Sequence, residues 1–139
     1  MTIKEIQEEI VNEFSMFDDW MERYEYIIEL GKKLPLIQDE FKTENNLIKG
    51  CQSKVWLQGE QKEDKIIFTA DSDAILTKGI IAILIRSFSN QKADAILEAD
   101  MSFIDEIGLK EHLSPTRANG LVSMIKNIKM YALAFNSKQ

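Results

Sequence analysis

Between Ala74 and Ile85 the chain carries Ala74, Ile75, Leu76, Ile80, Ile81, Ala82, Ile83, Leu84 and Ile85. Wound at helical spacing, these side chains leave almost no polar face, so such a helix must be covered on all sides. Its unbroken apolar run, Ile80 to Ile85, is far short of the ~20 residues needed to cross a bilayer. The segment is therefore predicted to be the buried centre of a water-soluble domain. Asp71-Ser72-Asp73 just ahead of it reads as an N-cap cluster. Gly79 inside it costs about 1 kcal/mol in helix propensity, a cost that a close backbone crossing would explain.

The remaining segments supply the cover. Ile3, Ile6, Ile10, Val11 and Phe14 share one helical face. Asp18 and Asp19 signal a second start, followed by Trp20, Met21, Tyr24, Ile27 and Ile28, with Gly31 as the expected stop and Pro35 beyond. A short helix is predicted near Leu36 to Phe41, and a short strand from Asn45 to Lys49. Val55-Trp56-Leu57 begins a strand and Ile66 to Thr69 forms another, both rich in β-branched or aromatic residues. Glu60 to Asp64 suits a hairpin connection, although no Asn-Gly pair sets its turn type. Short helices are predicted over Lys92 to Leu97 and from Met101 to Ile107, the latter ending at Gly108. Ser114 and Pro115 open a last helix with Leu121, Met124, Ile125, Ile128, Ala132 and Phe135 as its apolar stripe. Helices, then a few strands, then helices predict an α+β domain with a small antiparallel sheet covered by helices. No linker or repeat divides the 139 residues, which read as one domain throughout.

Composition narrows the chemistry. Net charge is −6 and the basic residues form no stripe, so nucleic acid is a poor partner. The N-terminus, MTIKEIQEEIVNEF, is amphipathic rather than signal-like, and a cytoplasmic protein away from membranes is expected. One cysteine and one histidine allow no internal disulfide and fall short of the usual four structural-zinc ligands. No EF-hand loop or His-x-x-x-His pair appears, and no resident metal or cofactor is expected.

The single cysteine, Cys51, lies in Gly50-Cys51-Gln52-Ser53-Lys54. A lone cysteine is commonly a small buried hydrophobe. Here the neighbours are polar and the segment bent, with apolar residues resuming only at Val55. A loop thiol beside a sheet is open to a second reactant. Lys49 and Lys54 flank it. They are candidates for raising the thiolate fraction, since the thiolate is the nucleophile. His112 is the only available imidazole. It is either the base of a Cys–His hydrolase or an ordinary loop residue, and no oxyanion motif or orienting carboxylate favours the former.

Four blocks of this sequence resemble the SufE sulfur-acceptor proteins of iron–sulfur cluster assembly: WMERYEYIIELGKKLP from Trp20, GCQSKVW from Gly50, DSDAILTKGIIA from Asp71 and HLSPTRANGL from His112. A Gly-Cys pair alone would carry little; the four in order are specific. The resemblance implies an α+β fold with a three-stranded antiparallel meander, like that of IscU-type scaffolds. It implies that Cys51 accepts sulfur as a persulfide from a pyridoxal-phosphate (PLP) cysteine desulfurase of the SufS type. Cys51 would then deliver the sulfur to an iron–sulfur scaffold such as a SufB-like complex. The pyridoxal cofactor would belong to the partner, and the chain would act as an accessory protein rather than an enzyme. Asp73 and Arg117 match family motif positions. Arg117 would polarise the thiol or contact the desulfurase, or simply form a helix-end ion pair. Ala70, where glycine is expected, and the order Ser114-Pro115-Thr116-Arg117 depart from the family pattern and bear on local loop geometry. A competing role is a regulatory adaptor that binds the desulfurase without accepting sulfur.

Overall fold

Every residue from Leu76 to Phe88 is buried except Lys78 and Arg86, as an all-round apolar helix requires. The computed structural model describes residues 1–136. In chain order the elements are α1 (Ile3–Phe14), α2 (Trp20–Gly31), β1 (Val55–Lys62), β2 (Lys65–Ser72), α3 (Ile75–Phe88), α4 (Ala93–Glu98), α5 (Phe103–Glu106), α6 (Leu109–His112) and α7 (Pro115–Asn136). Single 3-10 turns occupy Asp39–Phe41 and Glu44–Asn46. The core around α3 is contiguous and draws on Ile10 and Phe14 of α1, Ile27 of α2, Leu57, Ile66 and Phe68 of the strands, and Leu121 and Ile128 of α7. No helix among the described residues is long and apolar enough to cross a membrane.

The helix starts follow their caps. Thr2 and Glu5 form a reciprocal capping box on α1. The Asp19 carboxylate accepts from the Glu22 N–H at 2.8 Å, and the Ser114 hydroxyl accepts from the Arg117 N–H at 3.3 Å. The Arg86 guanidinium bonds Glu9 and Glu13 of α1, and the Tyr26 hydroxyl donates to the same Glu13 carboxylate. Burial pushes the Tyr26 phenol up to about 12, reinforced by its bond to Glu13.

Among the described residues the sheet has two strands rather than the three expected. β1 and β2 pair antiparallel from Val55↔Ser72 to Lys62↔Lys65. The hairpin turn is only Glu63-Asp64, with Glu63 at φ 59°, so the strands absorb most of the predicted connection. Val55, Leu57, Ile66, Phe68 and Ala70 face the core at alternate positions. The missing strand is reduced to one antiparallel bridge, Leu47↔Trp56, with the Ile48 N–H on the Val55 carbonyl at 2.8 Å. The 3-10 turn at Glu44–Asn46 precedes it and Gly50, at φ 93°, follows it. Asn45 and Asn46 are weak strand formers, so pairing stops there. The far edge of β2 is covered by single bridges from Leu36 and Gln91.

Three other expectations change. Asp71-Ser72-Asp73 is not an N-cap: β2 runs through Ser72, and Ala74 occupies the cap position without a side-chain bond. The segment 36–41 shortens to the turn at Asp39–Phe41, and 101–107 to Phe103–Glu106, with Gly108 at φ 81°. α2 does end at Gly31 as expected, though without a left-handed turn, since Lys32 caps it in ordinary right-handed geometry.

Gly31 also meets Gly79, where α2 crosses α3. A β-carbon on Gly79 would lie 2.2 Å from the Ile27 carbonyl oxygen, and one on Gly31 2.9 Å from the Gly79 nitrogen. The close crossing suspected from Gly79 is therefore present, and the clash is with backbone, which no rotamer relieves. Gly79→Ala is expected to lower stability by about 3 kcal/mol or more despite its better helix propensity. Urea unfolding of the two proteins checks this; equal midpoints would refute the crossing.

Candidate functional site

Cys51 is the only thiol and is half-buried. Its placement begins at Gly50, whose φ of 93° suits glycine. A β-carbon there would also lie 2.6 Å from the Ser123 hydroxyl of α7. The bend turns Cys51 onto the first half of α7. Its thiol donates to the Gly120 carbonyl at 3.6 Å. A β-carbon on Gly120 would stand 3.4 Å from the sulfur, so this glycine leaves the thiol its room. Farther along α7 the Tyr131 hydroxyl bonds the Leu57 carbonyl at 3.2 Å, holding the helix against β1.

The other end of the loop is clamped at Lys54. Its N–H donates to the Asp73 carboxylate at 3.0 Å, and its carbonyl accepts from the Ser72 hydroxyl at 2.8 Å and the Asp73 N–H at 3.2 Å. Ser72 and Asp73 thus tie the loop to the β2–α3 junction. Asp71 serves differently, pairing with Lys42 at 2.6 Å and Lys78 at 3.4 Å. Burial pushes its carboxyl up, but the bond from Lys42, the Ser72 N–H and the Lys78 charge outweigh this and hold it below the ordinary value. Lys42 also lies over the Trp56 ring, 5.6 Å from its centre.

Beside the sulfur is a recess of about 10 Å³, walled by Thr77, Ile80, Arg117, Gly120 and Met124 among others. That is room for about one water-sized atom. Burial pushes the Cys51 thiol above its ordinary value, because removing it from water disfavours the thiolate. The expected activation by Lys49 and Lys54 is therefore not realised in this conformation. Both residues are exposed, and burial is the cause of the upward shift.

The sequence candidates separate clearly. Arg117 reaches the site as part of the recess wall. Among the described residues it forms no ion pair, which removes the helix-end pairing as its role. Asp73 acts through the Lys54 backbone and does not line the recess. His112 stacks on Trp20, ring centres 4.2 Å apart and planes 15° from parallel, and is absent from the recess wall. Sequence reading missed Thr77, Ile80, Gly120, Ser123 and Met124. Gly120 alone carried a signal, since a glycine within a helical stripe asks for a reason. Among the described residues no group of three or more His, Cys, Asp or Glu side chains converges as a metal site.

Residues 8–132 match the family model described as SufE, an Fe-S metabolism associated domain. The chain is 41% identical over 130 residues to an uncharacterized SufE-like protein of Rhizobium meliloti (strain 1021), covering 90% of this chain and 93% of that one. A second uncharacterized SufE-like protein, from Rhizobium etli, is 40% identical over 127 residues, covering 88% and 86%. The fold is similar to the solution structure of a hypothetical protein from Thermus thermophilus, with a TM-score of 0.77 at 18% identity, covering 93% and 94% of the two chains. With the family model spanning most of its length, the chain belongs to the SufE family.

Proposed function

We propose that this protein is a sulfur carrier in iron–sulfur metabolism, with Cys51 as the acceptor. The observation carrying this reading is a lone, half-buried thiol at a one-atom recess within a SufE domain. The Cys51 thiolate attacks the outer sulfur of a persulfide on a donor cysteine. A new S–S bond forms at Cys51, the donor S–S bond breaks, and the donor cysteine leaves as a thiolate. Sulfur moves with its oxidation level conserved, so no external oxidant is needed. The donor in this reading is a PLP-dependent desulfurase of the SufS type, and the recipient an iron–sulfur scaffold such as a SufB-like complex. Clearing the donor persulfide speeds the desulfurase. A free thiol kept for this work suits the reducing cytoplasm, and the chain acts as an accessory protein with a covalent intermediate.

The recess supports this chemistry because it shelters an added sulfur from stray thiols. The raised thiol suits the resting state: a neutral, half-buried S–H is a poor nucleophile. Full reactivity then requires the loop to leave the recess when the donor docks.

Desulfurase plus cysteine is expected to add one sulfur mass to the wild type and none to Cys51→Ser, read by intact mass spectrometry. Wild type that stays unmodified would sink the carrier reading. A Cys51→Ser protein that still stimulates the desulfurase fully would favour the adaptor instead.

Iodoacetamide alkylation of Cys51 should show a pH midpoint above that of the same thiol in urea. The sign follows from burial: the folded state binds the thiol proton more tightly, so alkylation sets in later as pH rises. A native midpoint at or below the unfolded one would contradict it.

Gly120→Ala should separate stability from function. Its β-carbon makes only ordinary contact with Cys51, 3.4 Å from the sulfur, while helix propensity improves by up to about 1 kcal/mol. Thermal stability is expected to hold or rise as the yield of bound sulfur falls, because the methyl occupies the recess. An undiminished sulfur yield would show that the recess is not where the sulfur goes.

A further inference from the structure

We propose that the Thr77 hydroxyl seats the transferred sulfur, donating a hydrogen bond to the terminal sulfur of a Cys51 persulfide. This deepens the sulfur-carrier reading and rests on it. Thr77 lies near the start of α3 and is 6% exposed. It walls the same recess as Cys51 and Arg117. A threonine inside a helix commonly returns its hydroxyl to a carbonyl of the preceding turn. Among the described residues the Thr77 hydroxyl has no hydrogen-bond partner. The one side-chain polar atom that is both unpartnered and sealed from solvent, among the described residues, is the Ser87 hydroxyl. The Thr77 hydroxyl is not among the sealed atoms, and its residue lines the recess. A hydroxyl without a partner in the protein is left to bond an occupant of the recess.

The two polar walls suit two states of the sulfur. The Gly120 carbonyl is an acceptor and engages the resting S–H. Once Cys51 carries a second sulfur, its own sulfur has no proton to give that carbonyl. The reactive form of the persulfide is an anion centred on the outer atom, which requires donors. Ile80 and Met124 supply none; Gln52, Ser53, Thr77, Thr116 and Arg117 carry donors, and of these Thr77 alone is buried. A hydrogen bond to an anionic acceptor is among the stronger ones. The other charged groups near the thiol are Lys49 and Lys54 on its loop, and Asp73, which is held on the Lys54 N–H.

The test loads full-length wild type, Thr77→Val and Thr77→Ser with inorganic polysulfide. The Cys51 thiolate takes one sulfur as an S–S bond of the polysulfide breaks and the shortened chain leaves. Because Cys51 is the only cysteine, intact mass assigns every added sulfur to it. Persulfide alkylation is then followed against pH, together with loss of the sulfur to added dithiothreitol. Thr77→Val is expected to take up sulfur but to show an alkylation midpoint about one pH unit higher and about tenfold faster loss. Thr77→Ser should restore both. Thr77→Ala replaces Thr77→Val if the valine disturbs folding, with the same expectation. Matching midpoints for wild type and the hydroxyl-free variant overturn the proposal, as does a serine variant behaving like valine. A parallel loading with desulfurase and cysteine keeps the two readings apart. Uptake from polysulfide but not from the desulfurase overturns the carrier reading, while the pH profiles still decide the role of Thr77.

Discussion

The crossing of α2 over α3 sets the geometry on which the other parts depend. At Gly79 a β-carbon would stand 2.2 Å from the Ile27 carbonyl oxygen, so the two helices touch backbone to backbone. Close approach lets α3 be covered by α2 on one side while the hairpin and α7 pack against it elsewhere. Once α3 is fixed, Thr77 and Ile80 stand at fixed points beneath the Cys51 loop. α7, held to β1 through Tyr131, closes the opposite side with Gly120 and Met124. The recess is thus a by-product of how the core is assembled, with no element devoted to it alone.

The loop bearing Cys51 is held by unequal ends. At Lys54 both backbone groups are bonded by the Ser72–Asp73 pair. At Gly50 the chain relies on a left-handed conformation and on the absence of a side chain facing Ser123. Between them the thiol has a single long hydrogen bond, to the Gly120 carbonyl at 3.6 Å. The arrangement keeps the sulfur sheltered and protonated at rest. It opposes burial to reactivity, since the water that would stabilise a thiolate is what the recess excludes.

Much of the fold was legible in the sequence because it followed from periodicity and caps. The all-round apolar segment announced α3, and the alternation at Val55–Leu57 and Ile66–Thr69 announced the hairpin. Ser114-Pro115 announced α7, and Asp19 capped α2. Reading faltered where local patterns had two uses. Asp71-Ser72-Asp73 carries the composition of a cap, yet β2 extends through Ser72, leaving Asp71 to ion pairs and Asp73 to Lys54. Gly31 ends α2 and is also where another backbone passes, a second use its composition did not announce. The expected third strand shrank to a bridge because the turns flanking Leu47 and Ile48 divert the chain.

By itself the sequence determined the chemical inventory: one thiol, one imidazole, and a bent polar segment around Cys51. It also determined the family, through motifs distributed along the chain. Only the tertiary structure decided which residues share the site. Cys51, Thr77 and Arg117 belong to different elements and are brought together by helix packing, whereas His112 was equally available by composition and is stacked on Trp20 instead. The state of the thiol was likewise a tertiary matter. Flanking lysines suggested activation, but the charge of a group depends on its exclusion from water, and that exclusion is made by α3 and α7 closing on Cys51 from distant parts of the chain.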